Sequence, residues 1–222
     1  VLNFNASANN VTISTSLSGA ISGLSGTNKL SSAGDFVSGV ANLTTKLIYT
    51  GTSGAGTFTA LAATGGATGT SGNVTIDAGA ATRLVITGTS TITAGTSQTI
   101  TLTAKDAQGN TVTTYAGVKA LTFSGANVSH NPQTAPTVGG IDFGTSTNVT
   151  FTNGVATASM ILYEAAGVNI VANDGSIASS GADRLAVTVN YGALNKFDLA
   201  FTTPQTSGVA ITGVNTITAE DA

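Results

Sequence analysis

The stretch 148-NVTFTNGVATASMILYEAAGVNIVA-172 has an echo upstream in 36-FVSGVANLTTKLIYTGTSGAGTFTALA-62. Phe36 answers Phe151, Gly39-Val40-Ala41 answers Gly154-Val155-Ala156, and Tyr49 answers Tyr163. Traced outward with small gaps, the echo widens. LNF at 2–4 answers LTF at 121–123, and NVTI at 73–76 answers AVTV at 186–189. The stretch 83-RLVITGTSTITA-94 finds a split counterpart in 196-KFDLAF-201 and 214-VNTITA-219, with TTPQTSGVAITG inserted between the two halves. Self-similarity at a fixed spacing is the mark of a repeated structural unit.

Within each unit the apolar residues fall on alternate positions, the period of a half-buried strand. Leu84 and Ile86 alternate with polar neighbours, as do Ile100, Leu102 and Ala104 in 99-TITLTAK-105. Further strands are expected over 119–124, 147–152, 154–163, 167–172 and 184–189. Turn chemistry separates them: 106-DAQGN-110 opens on Asp and closes on a Gly-Asn pair that tolerates positive φ, and 173-NDG-175 is a second such turn. No stretch holds a sustained helical period. Short strands at this spacing, each with one face to bury, are what an antiparallel β-sandwich requires.

Composition narrows the class. Only 8% of the 222 residues are charged, while 41% are hydrophobic. Charge is replaced by Thr, Ser, Asn, Ala and Gly, which supply strands and turns. Disordered chains are poor in apolar residues and usually rich in charge, so disorder is not implied. A net charge of −3 with 7 Lys plus Arg speaks against nucleic acid, which calls for clustered cations. The apolar runs are far too short to span a bilayer. The chain has no Cys, so the core alone must hold each domain, and no Cys–Trp–Cys pattern of an antibody-type domain is present. A Cys-free, Thr-rich, charge-poor chain is typical of large exported surface proteins. The start at Val1 is expected to reflect processing or a segment of a longer protein.

The order TITLTAKDAQGNTV (99–112), LTF (121–123), NGVATASMIL (153–162) and AGVNIVAND (166–174) resembles the bacterial Ig-like domains of the invasin and intimin type. The matching positions are Asp106, Gly109 and Asn110; Leu121 to Phe123; Asn153 to Ala156; and Ala166 to Val168. The resemblance covers 81–190 well and 1–80 in part, where SGVAN replaces NGVAT; the insertion 124-SGANVSHNPQTAPTVGGIDFGTS-146 departs from it. The fold class expected is all-β, with tandem Ig-like antiparallel β-sandwich domains, one complete and partial ones at both ends. Residues 1–80 read as the later part of a repeat, 81–190 as a complete sandwich, and 191–222 as the opening strand of a further repeat.

The resemblance implies an extracellular, cell-surface segment of a stalk, fibre or S-layer-type assembly, without catalysis. Its partners are then neighbouring repeats or copies of the same protein. Two other classes stand beside this reading. One is an adhesive module whose 124–146 loop contacts a glycan or receptor; the other is an accessory domain of a large secreted enzyme.

The candidate chemical groups read blandly. His130 is the only histidine and lies in a Gly/Pro-rich loop, which leaves too few ligands for zinc and no triad. Asp106, Asp174 and Asp183 are candidates for calcium at domain ends, but none sits in a clustered acidic loop, and turn formation is the simpler reading. Nothing marks a pair of carboxylates for glycoside hydrolysis. The glycines of 65-GGATGTSG-72 lack the following Lys and helix of a phosphate cradle. Lys105 and Lys119 sit on or near strands without the signature of an isopeptide cross-link. Sequons at Asn5, Asn10, Asn42, Asn73, Asn127 and Asn148 are about as many as this composition gives by chance. No catalytic, cofactor-binding or metal residue is therefore assigned, and no cofactor is expected.

Overall fold

The computed structural model describes residues 3–130 and 132–221. Contacts divide the chain into two compact units: residues up to Ala80 with Lys105–Val112, and Ala81–Ala104 with residues from Thr113 onward.

The second unit contains β9 (Arg83–Thr87), β10 (Thr91–Thr93), β11 (Ser97–Lys105, whose last residue is grouped with the first unit), β12 (Gly117–Ser124), β13 (Thr137–Val138), β14 (Ile141–Asp142), β15 (Ser146–Phe151), β16 (Val155–Ile161), β17 (Gly167–Asn173) and β18 (Leu185–Asn190). They form two five-stranded sheets, ordered β14-β13-β16-β11-β9 and β10-β18-β17-β12-β15. This is the strand arrangement of an Ig-like sandwich, with β15 widening one sheet. Alternation explains the core. Ile100, Leu102 and Ala104 of β11 point inward, as do Leu185, Val187 and Val189 of β18, and they meet Leu121, Phe123 and Phe151 between the sheets. The 124–146 insertion is partly ordered as the β13–β14 hairpin, and β13 adds to the edge of β16 through Thr137↔Ile161 and Val138↔Met160. From there the chain crosses to β15, the edge strand of the opposite sheet.

The first unit contains β1 (Val11–Thr15), β2 (Gly19–Ser22), β3 (Lys29–Leu30), β4 (Ile48–Gly51), β5 (Gly54–Gly56), β6 (Phe58–Ala62), β7 (Thr68–Thr70) and β8 (Val74–Ile76). One sheet runs β3-β1-β6-β7; β2 pairs with β4 and β5 with β8. The order β3-β1-β6-β7 matches β15-β12-β17-β18 of the second unit, and the β2–β4 pair matches β13–β16. No strands stand in the places of β9 and β11 among the described residues.

The echo that opened the reading has a structural cause. Asn153 and Gly154 have φ of 50° and 80°, and Ser38 and Gly39 have φ of 53° and 79°. In each copy the flanking residues exchange two backbone hydrogen bonds, Thr152 with Val155 and Val37 with Val40. Two successive positive φ values make the tight turn that suits the twist of a hairpin. Beyond the turn the copies diverge. Val155–Ile161 extends as β16, gripped by β11 on one edge. Residues 41–47 stay irregular, with Thr45 at φ 62° and Asn42 capping the amide of Thr44 at 2.9 Å.

Three readings of the sequence need correction. NVTI at 73–76, read as the answer to AVTV at 186–189, forms β8 and pairs with β5, while β7 takes the place of β18. LNF at 2–4 does not take the place of LTF at 121–123. Leu2 lies outside the described residues, Asn3 and Phe4 are not in a strand, and β1 occupies that place. Phe4 instead packs edge-on against Phe36, with ring centres 4.7 Å apart. Residues 191–222, read as one opening strand, contain a hairpin that contacts group with the second unit: β19 (Leu194–Ala200) and β20 (Thr216–Asp221). TTPQTSGVAITG forms most of its loop, tied by the Gln205 amide to Thr212 and by the Asn215 carbonyl to Thr202.

Burial separates the two copies energetically. Leu162 is 1% exposed, whereas Ile48, which precedes the echoing tyrosine in the first unit, is 53% exposed. Leu162→Ala is expected to destabilise the second unit by about 3 kcal/mol, and Ile48→Ala to change stability by less than about 0.5 kcal/mol. Urea unfolding of both variants checks this; equal losses would contradict the packing described.

Candidate functional site

The carboxylates are committed to turns. Asp106 is buried: its Oδ1 accepts the backbone N–H groups of Gln108 and Asn110 at 2.9 and 2.8 Å, and its Oδ2 accepts those of Gly79 and the Asn110 side chain, both at 2.9 Å. The Asn110 side chain in turn donates to the Gly51 carbonyl at 3.0 Å and accepts the Ser53 N–H at 2.9 Å. Burial alone would raise the Asp106 pKa, but these hydrogen bonds outweigh it and hold the carboxyl below its ordinary range.

Asp174 follows the same plan. Its Oδ1 accepts from Ser176 and Ile177 at 2.8 and 2.7 Å, and its Oδ2 accepts from the Tyr115 hydroxyl at 2.5 Å. Burial again works upward, and the bonds from Ile177, Tyr115 and Ser176 bring the pKa below the ordinary carboxylate range. Burial first, then the bond to Asp174, holds the Tyr115 proton well above the ordinary tyrosine range. The Tyr115 ring packs at right angles on Phe151, 4.9 Å between centres, and Lys119 Nζ lies 4.6 Å from its centroid. Such a cation over an aromatic face is weakly attractive. Lys105 Nζ donates to the Gly109 carbonyl at 3.0 Å. Asp183 pairs with Arg83 at 3.3 Å.

A cavity of about 570 Å³ opens on the second unit, lined in part by Ser129, His130, Tyr163, Glu164, Tyr191 and Glu220. His130 Nδ1 lies 3.1 Å from Glu164 Oε2, with the imidazole exposed. Glu220 is buried and pairs with Lys196 at 2.8 Å; that bond holds the lysine pKa above its ordinary range. So His130, read as a solvated loop residue, is exposed and also lies within hydrogen-bond distance of Glu164. Tyr163, Glu164 and Tyr191 were not legible as a group, because they come from separate segments. The one signal was Tyr163 as the answer to Tyr49, and the two differ: Tyr49 donates its hydroxyl to the Ser18 and Thr52 carbonyls. Of the glycines of 65–72, Gly65 and Gly66 lie on the β6–β7 turn at positive φ, Gly69 lies in β7 and Gly72 just after it. The six sequon asparagines are exposed or half-buried.

Among the described residues, no three His, Asp or Glu side chains converge as a metal would require. No helix is long and apolar enough to cross a membrane.

No family model matches the chain, and no curated protein matches it. Several solved structures are similar to it. InvD of Yersinia pseudotuberculosis is 21% identical with a TM-score of 0.38, over 95% of this chain and 59% of that one. Domains 4 and 5 of the S-layer protein SbsC are 15% identical with a TM-score of 0.31, over 61% and 66%. A glycosyl hydrolase family 2 member from Bacteroides cellulosilyticus is 14% identical with a TM-score of 0.36, over 81% and 23%. The chain thus spans less than two thirds of each. At these scores the fold rests on the strand order given above.

The lowered carboxyl pKa values carry a pH dependence with a definite sign. A depressed folded-state pKa stabilises above the unfolded value of about 4 and ceases to as pH falls through the folded value. The chain is therefore expected to lose stability between about pH 5 and pH 2. Asp106→Asn and Asp174→Asn are each expected to be less stable at pH 7 and to show a shallower acid slope. Urea titrations across this range decide it; an unchanged slope in both variants would contradict the assignment.

Proposed function

We propose that this chain is a structural segment of an extracellular, cell-surface assembly, a stalk, fibre or S-layer-type coat built from Ig-like units of the invasin and intimin type, and that it performs no catalysis. The observation that carries this reading is the recurrence of one plan. The two units share a sheet order and a two-residue positive-φ turn, as expected of a module used repeatedly to span distance. The chemistry of the side chains supports it: the carboxylates that drew attention in the sequence are spent on turns and ion pairs. Low charge suits a sandwich whose exposed strand positions carry Thr and Ser.

Antibodies raised against the chain are expected to label intact cells of the organism that makes it, and external protease to remove that label. Label confined to permeabilised cells would overturn the reading.

One observation favours a second reading, an adhesive module for a glycan or receptor. Ser129 and His130 of the 124–146 insertion line the cavity beside Tyr163 and Tyr191. Aromatic rings next to carboxylates suit a sugar, which offers an apolar face and hydroxyl donors. On this reading a glycan array gives saturable binding that Tyr163→Ala and Tyr191→Ala together weaken at least tenfold. Absence of binding leaves the structural role alone.

A further inference from the structure

The cavity on the second unit gathers the groups this chain has least of. The whole sequence holds one His, two Glu and four Tyr. That His, both Glu and two of the Tyr line this one space of about 570 Å³. Small-molecule sites span roughly 300–1,000 Å³. In a chain with 8% charged residues, such a concentration singles the cavity out from the Thr- and Ser-rich surface.

Loops build much of the cavity, and the fold pins them. The Ser129 N–H donates to the Thr134 carbonyl, and the Thr134 N–H to the Ser129 hydroxyl, both at 3.0 Å, which ties the loop that carries His130. The β16–β17 loop, with Tyr163 and Glu164, is held at both ends. The Leu162 carbonyl accepts the Gly95 N–H and the Ala166 carbonyl accepts the Val189 N–H, each at 2.9 Å. Tyr191 follows Asn190, whose carbonyl accepts the Ala94 N–H at 2.9 Å. Binding residues concentrate on loops held by a rigid scaffold, and a loop already ordered gives up little entropy when a ligand arrives.

The charge of the cavity selects among ligands. Lys196 pairs with Glu220 at 2.8 Å and balances it. Glu164 Oε2 lies 3.1 Å from His130 Nδ1, so a neutral imidazole leaves the Glu164 charge in excess. A sugar bearing a carboxylate, sulfate or phosphate meets repulsion there. A protonated amine gains a charge-assisted hydrogen bond, roughly twice as strong as one between neutral groups. It is also attracted to the faces of tyrosine rings.

We infer that this cavity takes a sugar carrying a free amine, with the ammonium against Glu164 and the apolar face of the sugar ring against Tyr163 and Tyr191. Glu220 supplies a second carboxylate for the sugar's hydroxyl donors. This rests on the adhesive reading and deepens it by naming the class of sugar.

The test uses the full chain and sugars that differ only at the amine. They are oligomers of glucosamine and of galactosamine, each with the amine free and N-acetylated, beside a galacturonic acid oligomer. Acetylation removes the charge and keeps the ring. Titration calorimetry at pH 7 is expected to show saturable binding of a free-amine oligomer, at least about tenfold tighter than its acetylated form. The uronic acid is expected not to bind. Glu164→Gln keeps the shape and removes the charge, and is expected to bring the two forms within about twofold of one another. Tyr191→Ala is expected to weaken both forms alike. Asp142→Asn, at an exposed acid that does not line the cavity, is expected to change neither. The comparison of paired sugars on the wild type needs no substitution, so it decides even where a variant fails to fold. Equal binding of the free and acetylated forms, or a preference that survives Glu164→Gln, overturns the inference and leaves the adhesive reading standing. Absence of binding by every one of these sugars overturns it too, and the glycan array then separates the two failures. Saturable binding elsewhere on the array keeps the adhesive reading, and a blank array removes it.

Discussion

A β-sandwich encloses a core only if both sheets are wide enough to cover it, and in this chain that requirement turns on the pairing of β11 with β16. Seven residue pairs run from Ser97↔Ile161 to Thr103↔Val155. They set Ile100 and Leu102 against Phe123 and Phe151 from the opposite sheet, and they let β9 add Leu84 and Ile86 at the margin. Burial of apolar area at about 25 cal/mol per Å² is the main stabilising term available to a chain with no disulfide. The first unit has the β4 counterpart of β16 without a β11 among the described residues; there Tyr49 packs on the core and its strand neighbour Ile48 faces outward.

Turn chemistry does the work that charge does elsewhere. The Asn153-Gly154 and Ser38-Gly39 turns fix register locally, and Asp106 and Asp174 fix their turns by accepting several N–H groups at once. A carboxylate satisfied in this way is worth more to the fold than one on a solvated surface, because removing it leaves buried donors unpaired. This explains how the chain tolerates so few charges: several of its acids are turn-forming residues before they are anything else.

Much of the second unit was legible because alternation reports directly which face of a strand is buried. The strands expected over 119–124, 147–152 and 184–189 correspond to β12, β15 and β18, and DAQGN and NDG are turns. Alternation says nothing about which strand pairs with which. That is why β13 and β14 were missed: each is two residues long, set among glycines, and held by pairing, β14 with β13 and β13 with β16, rather than by any pattern of its own. The same limit misplaced LNF, where Phe4 serves the core from a loop. It also hid the β19–β20 hairpin, whose strands are brought together across a long insertion. The cavity was out of reach for a related reason: Ser129, Tyr163 and Tyr191 are neighbours only after folding.

The contrast between a closed sandwich and an open one is most directly tested by amide hydrogen exchange on the intact chain. The account predicts slow exchange along β11 and β16, set by global unfolding of the second unit, and fast exchange for the β4 amides that face away from β2. Protection of every β4 amide at the level of β16 would mean that the first unit is closed on its own, and would contradict the account.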